Sequence, residues 1–209
     1  MIKILINAPK GGVGKTTIAT NIALYLAQSS KKVWALDLAQ GEQMTIALSN
    51  TPEFDSRQTI NKIETSELES IPKNFPGASQ FDFLVADTDD YLEIIKDLAN
   101  HGATNGWRVI VPIVDEYNGL ERIPKEIGGL FITSMFKGTG FNLTLKMVPN
   151  KIEDTESIHN IITKLEEHGI ESFISKNFIS YCEAEPPYYI QDEDFNNEIE
   201  DLLKEVGVI

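Results

Sequence analysis

A single cysteine, Cys182, stands in a chain of 209 residues. It excludes an internal disulfide and any multi-cysteine metal centre held by one chain. The three histidines, His101, His159 and His168, are scattered without ligand spacing to one another or to a carboxylate pair, so no zinc motif can be read. No apolar run approaches the roughly 18–20 residues that span a bilayer. The opening segment Met1–Asn7 is too short for a secretory signal and is expected to be a strand. No Gly-x-Ser-x-Gly nucleophile elbow is present. Positive charge is scarce. There are three arginines, and the formal net charge is −14. From residue 151 onward four lysines face fifteen aspartates and glutamates. Such a segment repels polyanions and speaks against a large nucleic-acid face there, although a local basic patch is compatible with an acidic whole. These features fit a cytoplasmic protein without membrane insertion.

Short apolar runs alternate with helical patterns. The runs Ile2–Ile6, Val33–Leu36, Phe83–Ala86, Val109–Val114 and Leu143–Val148 are continuous rather than alternating, as strands buried on both faces read. Helices are expected over Thr17–Ala27, Tyr91–Asn100, Ile158–Glu167 and Asn196–Glu205, where apolar residues recur at three- and four-residue spacing. In the first of these, one face should be apolar. The polar stretch Ser49–Ser79, with Pro52, Pro72 and Pro76, reads as a connection holding a short helix near Ile60–Leu68. Phe136–Phe141 reads as a loop. The fold expected is α/β, a mostly parallel twisted sheet with helices on both faces, in one domain over residues 1–209.

The strongest local signal is Ala8-Pro9-Lys10-Gly11-Gly12-Val13-Gly14-Lys15-Thr16-Thr17, between the first strand and the first helix. Glycines let the backbone curl so that successive N–H groups converge on phosphate oxygens. The following helix N-terminus adds partial positive charge and free donors. Lys15 is placed to bridge the β- and γ-phosphates, and the Thr16 hydroxyl to ligate Mg²⁺. A bare glycine turn would need none of these side chains. The pattern therefore identifies a P-loop for ATP with Mg²⁺.

The loop lacks the usual first glycine, where Pro9 stands, and has a second lysine, Lys10. In this it resembles the deviant Walker-A ATPases of the ParA and MinD family, most closely the short plasmid-partition ParA proteins. The resemblance implies that Lys10 reaches across a homodimer that sandwiches ATP. Val33–Asp37 followed by Leu38-Ala39-Gln40-Gly41 resembles the family's Asp-x-Asp-Pro-Gln-Gly segment. Asp37 matches the first aspartate. Ala39 occupies the place of the second, and the proline is missing. The family uses these carboxylates to arrange Mg²⁺ and the attacking water, so the resemblance implies intact binding and slowed or abolished hydrolysis. Ala39 is either a native feature of a slow switch or an introduced change that traps ATP; the motif comparison leans to the second.

Phe81–Asp87 with Thr88 resembles the Walker-B strand, which assigns Asp87 to Mg²⁺ through a water. Read alone, Asp87 is a strand-ending turn residue. Asp89 and Asp90 suit the cap of a following helix. Pro112 lies in a segment that resembles the family strand ending near the nucleotide; its simpler reading is an edge-strand proline. Asn150 matches the asparagine that reads adenine; its simpler reading is a strand-end turn. The site expected is thus Lys10, Gly11, Gly12, Val13, Gly14, Lys15, Thr16 and Thr17 with Asp37, Asp87, Pro112 and Asn150. Of these, Lys10, Lys15 and Asp37 carry catalysis, and Thr16, Asp37 and Asp87 serve the metal.

The family role implied is a partition ATPase. ATP closes the dimer, nonspecific DNA is bound weakly and salt-sensitively, and a ParB-like adaptor on the cargo triggers release, placing the protein on the nucleoid. Phosphate contacts would fall to residues such as Arg122, Lys125, Lys137 and Lys146. A MinD-like membrane role would need a basic amphipathic tail. The tail Asn197–Ile209 has an apolar face but an acidic polar one, so it is expected to pack on the domain. A switch distributing a non-DNA cargo, and a metabolic ATP-dependent ligase, remain as further classes.

Overall fold

Strand residues that are apolar without alternation need cover on both sides, and the chain supplies it. The computed structural model describes residues 1–51, 54, 59–61, 77–89, 107–115, 123, 127, 129, 144–169, 171–183 and 190–209. Among the described residues seven strands are seen: β1 (Ile2–Ile6), β2 (Val33–Asp37), β3 (Thr59–Asn61), β4 (Phe83–Asp87), β5 (Trp107–Ile113), β6 (Thr144–Ile152) and β7 (Ile179–Ser180). They pair in parallel in the order β3-β2-β4-β1-β5-β6-β7. Ile4 and Ile6 enter one core layer with Val33, Ala35 and Val85. The intervening Leu5, with Trp34, Leu36, Leu84 and Val109, enters the other. Period-two geometry thus divides one apolar run between two cores.

The first layer is roofed by α1 (Lys15–Gln28), α2 (Gln43–Ser49) and, beyond β7, the C-terminal helix, here α4 (Glu193–Glu205). The opposite layer receives Ile161 and Leu165 of α3 (Thr155–Glu166). The expected single apolar face of α1 is an understatement. Ile18, Ala19, Thr20, Asn21, Ile22, Ala23, Leu24 and Leu26 are all buried, because α2 and α4 flank the helix while the sheet lies beneath it. A helix buried almost all round carries little amphipathic signal.

Helices α3 and α4 begin three residues before the expected starts. Asp154 accepts the Ser157 N–H at 2.7 Å and Asp192 that of Phe195 at 2.9 Å, which caps each first turn ahead of the apolar periodicity. The short helix expected near Ile60–Leu68 is corrected at its start, where Thr59–Asn61 is an edge strand beside β2. The rest of that segment, the helix expected over Tyr91–Asn100 and the loop at Phe136–Phe141 lie outside the described residues. Strand β6 runs past Pro149 to Ile152. Pro149 stands opposite Ile113, and the ladder to β7 continues at Asn150 and Ile152 across a register shift. The edge-strand reading of Pro112 also fails: β5 lies between β1 and β6, with Pro112 opposite Val148.

Candidate nucleotide site

In an open parallel sheet, ligands bind beyond the carboxyl ends of the strands, where the chain's direction of progress switches. Here β1 is flanked by β4 and β5, and the segment Asn7–Gly14 leaves its carboxyl end. Gly12 and Gly14 have φ of 76° and 89°, a region that side-chain-bearing residues rarely adopt. Val13 between them is 2% exposed and joins Ala8 in the core. It pins the middle of the loop while both neighbouring glycines turn. Gly14 is the N-cap of α1, and no side chain caps this end, so the first-turn N–H groups face the loop's concavity.

Two lysines and a hydroxyl complete the cradle. Lys15 is 8% exposed and donates to the Lys10 carbonyl at 2.8 Å. Thr16 donates to Asp87 Oδ2 at 2.6 Å. Asp87 is fully buried at the end of β4, directly opposite Asp37 in the β2–β4 ladder. Burial first, and then the charge of Asp37, push the Asp87 carboxyl up to about 7 against the Thr16 bond and the Lys15 charge. Asp37 is also fully buried. Its Oδ1 accepts the Ala39 N–H at 3.1 Å and its Oδ2 the Thr45 N–H at 2.8 Å. The carboxylate ties the turn after β2 to the first turn of α2.

An all-oxygen donor set of one hydroxyl and one carboxylate beside a phosphate cradle fits Mg²⁺, a hard cation that keeps most of its waters. Thr16 and Asp87 would hold it, with Asp37 behind them.

Several contacts between these loops had no signal in the sequence pattern. Asn7 donates to Thr88 Oγ1 at 2.7 Å, and Thr88 donates to the Ile6 carbonyl at 2.8 Å, which laces the end of β1 to the residue after Asp87. Asp89, expected to cap a helix, accepts the Gln40 N–H with both oxygens at 3.1 Å. Only tertiary pairing brings these loops together.

The cradle separates two cavities. One, of about 340 Å³, is lined by Gly12, Thr16, Thr17, Asn150, Tyr181, Cys182, Ile190 and Phe195, among others. Its lining is mixed, with apolar Ile18, Ile179, Ile190 and Phe195 alongside polar Thr16, Thr17, Gln43, Asn150, Ser180 and Glu183, a composition compatible with a heteroaromatic base. Burial, with Asp192 and Glu198 nearby, pushes the Cys182 thiol up. The other, of about 410 Å³, is lined by Lys10, Gly11, Val13, Asp115, Glu153 and Ser157. Lys151, at φ 57°, borders both.

The remaining expected residues fall as follows. Pro112 is buried beneath the loop beside Ala8, Pro9 and Val13. Asn150 is 4% exposed, and its side-chain amide donates to the Val13 carbonyl at 2.6 Å. Lys146, offered by the sequence as a phosphate contact, is spent elsewhere. Its ammonium donates to the Ser172 and Ile174 carbonyls and pairs with Glu205 at 3.4 Å. Arg122, Lys125 and Lys137 lie outside the described residues.

The model of the CobQ/CobB/MinD/ParA nucleotide binding domain matches residues 4–186. A candidate replication protein A of Sinorhizobium fredii is 26% identical over 151 residues, covering 65% of this chain and 37% of its own length. The chain therefore spans little more than a third of that relative. Among solved structures, the ATP complex of an aspartate-to-alanine variant of Cyanothece McdA superposes with a TM-score of 0.73 at 17% identity, covering 100% of this chain and 97% of that one. A plasmid partition protein of Borrelia burgdorferi superposes with a TM-score of 0.59 at 19% identity, covering 98% and 99%. At such identities the likeness is one of fold.

Proposed function

The chain belongs to the CobQ/CobB/MinD/ParA nucleotide-binding family, and on that premise we propose that it is an ATP-driven positioning switch of the ParA type. Two copies close around ATP, and the closed form associates with a carrier surface until an adaptor on the cargo promotes hydrolysis. The observation that supports this best is the glycine-turned cradle at the end of β1, with Lys10 and Lys15 on its rim and Thr16 bonded to Asp87.

The residues divide the work. The N–H groups of Gly11–Thr16 orient the phosphates. Lys15 leaves the Lys10 carbonyl for the phosphate charge, and Lys10 extends toward the nucleotide of a second copy. Mg²⁺, when bound, neutralises developing charge on the phosphoryl oxygens. Asp37 holds the turn after β2, and Ala39 leaves the attacking water without a carboxylate to orient it, so turnover is slow.

Titration calorimetry with ATP and Mg²⁺ tests the reading. The chain binds ATP. Lys15→Ala loses on the order of 2–3 kcal/mol, roughly 100-fold, as expected for charge-assisted bonds in a closed site. Ala39→Asp leaves affinity near its starting value and raises phosphate release. No heat with any adenine nucleotide would overturn the proposal.

The carrier surface has two readings. DNA follows from the partition role of ParA-like proteins. A non-DNA cargo or surface is favoured by the net charge of −14. A membrane carrier is disfavoured, because the apolar face of α4 is already buried: Phe195, Ile199, Leu202 and Leu203 pack into the core shared with α1.

A further inference from the structure

We infer that Asn150 is a positioning residue for the phosphates: its side chain braces the Val13–Gly14 peptide so that the Gly14 N–H is aimed into the cradle. The inference rests on the nucleotide-binding reading and assigns Asn150 a task other than recognition of the base.

The peptide plane supplies the physics. In a trans peptide the carbonyl of one residue and the N–H of the next point in opposite directions. The Val13 carbonyl is held by the Asn150 amide at 2.6 Å in a buried contact. The N–H of the same plane, that of Gly14, must then point away from Asn150. Val13 cannot swing to compensate, because its side chain is 2% exposed in the core. Rotation of this plane would strand a buried carbonyl and a buried amide together, each of which is costly to leave unpaired.

The packing agrees. A Cβ added at Gly14 would lie 2.4 Å from Asn150 Nδ2, well inside contact distance. Gly14 is therefore glycine for two reasons, its φ of 89° and the amide pressed against it. The brace is itself fixed. Asn150 sits in β6 at the register shift against β7, opposite Ile179, and is followed by Lys151 at φ 57°. The bulge lets the strand keep its pairing while re-aiming a side chain, as bulges beside functional sites do.

A brace and a base reader predict different losses. The experiment measures Kd for ATP, GTP and inorganic tripolyphosphate, each with Mg²⁺, on the full chain and on Asn150→Ala, with thermal melts to monitor folding. The brace predicts that all three ligands weaken by a similar factor, about ten-fold for one buried hydrogen bond, and that the ATP-to-GTP ratio stays constant. Loss confined to ATP, with GTP and tripolyphosphate unchanged, would make Asn150 a reader of adenine and overturn the inference. Unchanged binding of all three would overturn it as well. If Asn150→Ala does not fold, Asn150→Asp keeps the shape without the donor. The ATP-to-GTP ratio then decides, since the added charge acts on both ligands alike. Failure of the unmodified chain to bind any of the three would refute the nucleotide reading itself, and the brace with it.

Discussion

At the residue scale, the pair Asp87 and Asp37 poses a problem that the bound state solves. Two carboxyls sit side by side, each fully buried. Asp37 has two backbone donors. Asp87 has the Thr16 hydroxyl and the Thr88 N–H, too little to offset its burial, and its carboxyl is pushed up to about 7. The linkage follows from that direction. Between the unfolded value, near 4, and about 7, the folded empty protein holds a proton that the unfolded chain has released, so stability falls as pH rises through this window. The loss reaches roughly 4 kcal/mol for a shift of this size. In Asp87→Asn the loss is absent, so urea midpoints of the variant and the parent, both without nucleotide, diverge from pH 5 to pH 7.5 in favour of the variant. Mg²⁺ with ATP should narrow the gap by stabilising the parent more than the variant. Parallel pH profiles would remove this account of Asp87.

Much of this site was readable in the sequence. Gly12, Gly14, Lys15 and Thr16 announce themselves because a phosphate loop needs those residue types in consecutive positions. Asp37 and Asp87 could be picked out only once the loop was known. What stayed hidden were bonds between loops distant in sequence: Asn7 to Thr88, Gln40 to Asp89, and Asn150 to Val13. An asparagine carries no local mark of which carbonyl it will meet.

At the element scale, α4 shows what an acidic composition can conceal. The count of carboxylates after residue 150 suggested a repulsive surface. In the fold many of them are fasteners. Glu198 receives the Ser180 N–H and hydroxyl, and Glu200 the Tyr25 hydroxyl. Glu205 receives Ser175, the Lys176 N–H and the Asn177 amide. Burial, together with the hydrogen bond it donates to Glu200, pushes the Tyr25 phenol up to about 12. Burial alone would raise the Glu205 carboxyl, but the hydrogen bonds from Ser175 and Lys176 and the charge of Lys146 more than offset it and hold it low. Its contribution is therefore present at neutral pH and is lost as pH falls through the folded value, the opposite sense to Asp87. Glu205→Gln should cost about 1–3 kcal/mol at pH 7, because it weakens several charge-assisted bonds and leaves Lys146 without its carboxylate. The deficit should shrink as pH falls through the lowered folded value of Glu205, where the parent becomes protonated too. Chemical denaturation over a series from pH 7 downward checks this, and a deficit that stays constant across the series would show that packing rather than charge is responsible. The same helix ends illustrate the limits of pattern reading. Periodicity located α3 and α4 but placed their starts three residues late, because capping by Asp154 and Asp192 is polar and precedes the apolar repeat.

At the scale of the whole molecule, the question is how a chain of net charge −14 could hold a polyanion. Among the described residues, Lys146, Lys164 and Lys204 are each paired with carboxylates, namely Glu205, Asp115, and Glu200 with Asp201. Lys10 and Lys15 belong to the cradle. If the described cations that are left supply the proposed DNA face, it would engage few phosphates per subunit. With about two contacts, affinity should fall roughly ten-fold between 50 mM and 200 mM salt. Closing the proposed ATP dimer would double the contacts on one rigid body, so retention on DNA should require ATP and disappear with ADP. Lys10→Ala separates the two steps. By losing the cation proposed to reach the second nucleotide, it should abolish the ATP-dependent dimer peak in gel filtration and the DNA retention together, while Asp82→Ala, at the far end of β4 from the cradle, should change neither. A dimer that forms in the parent but is never retained on DNA at 50 mM salt would leave the switch standing and move the cargo to a partner that tolerates an acidic face. A dimer peak undiminished in Lys10→Ala would instead remove that lysine from the contact between subunits, and the two-copy closure would need another pair of surfaces.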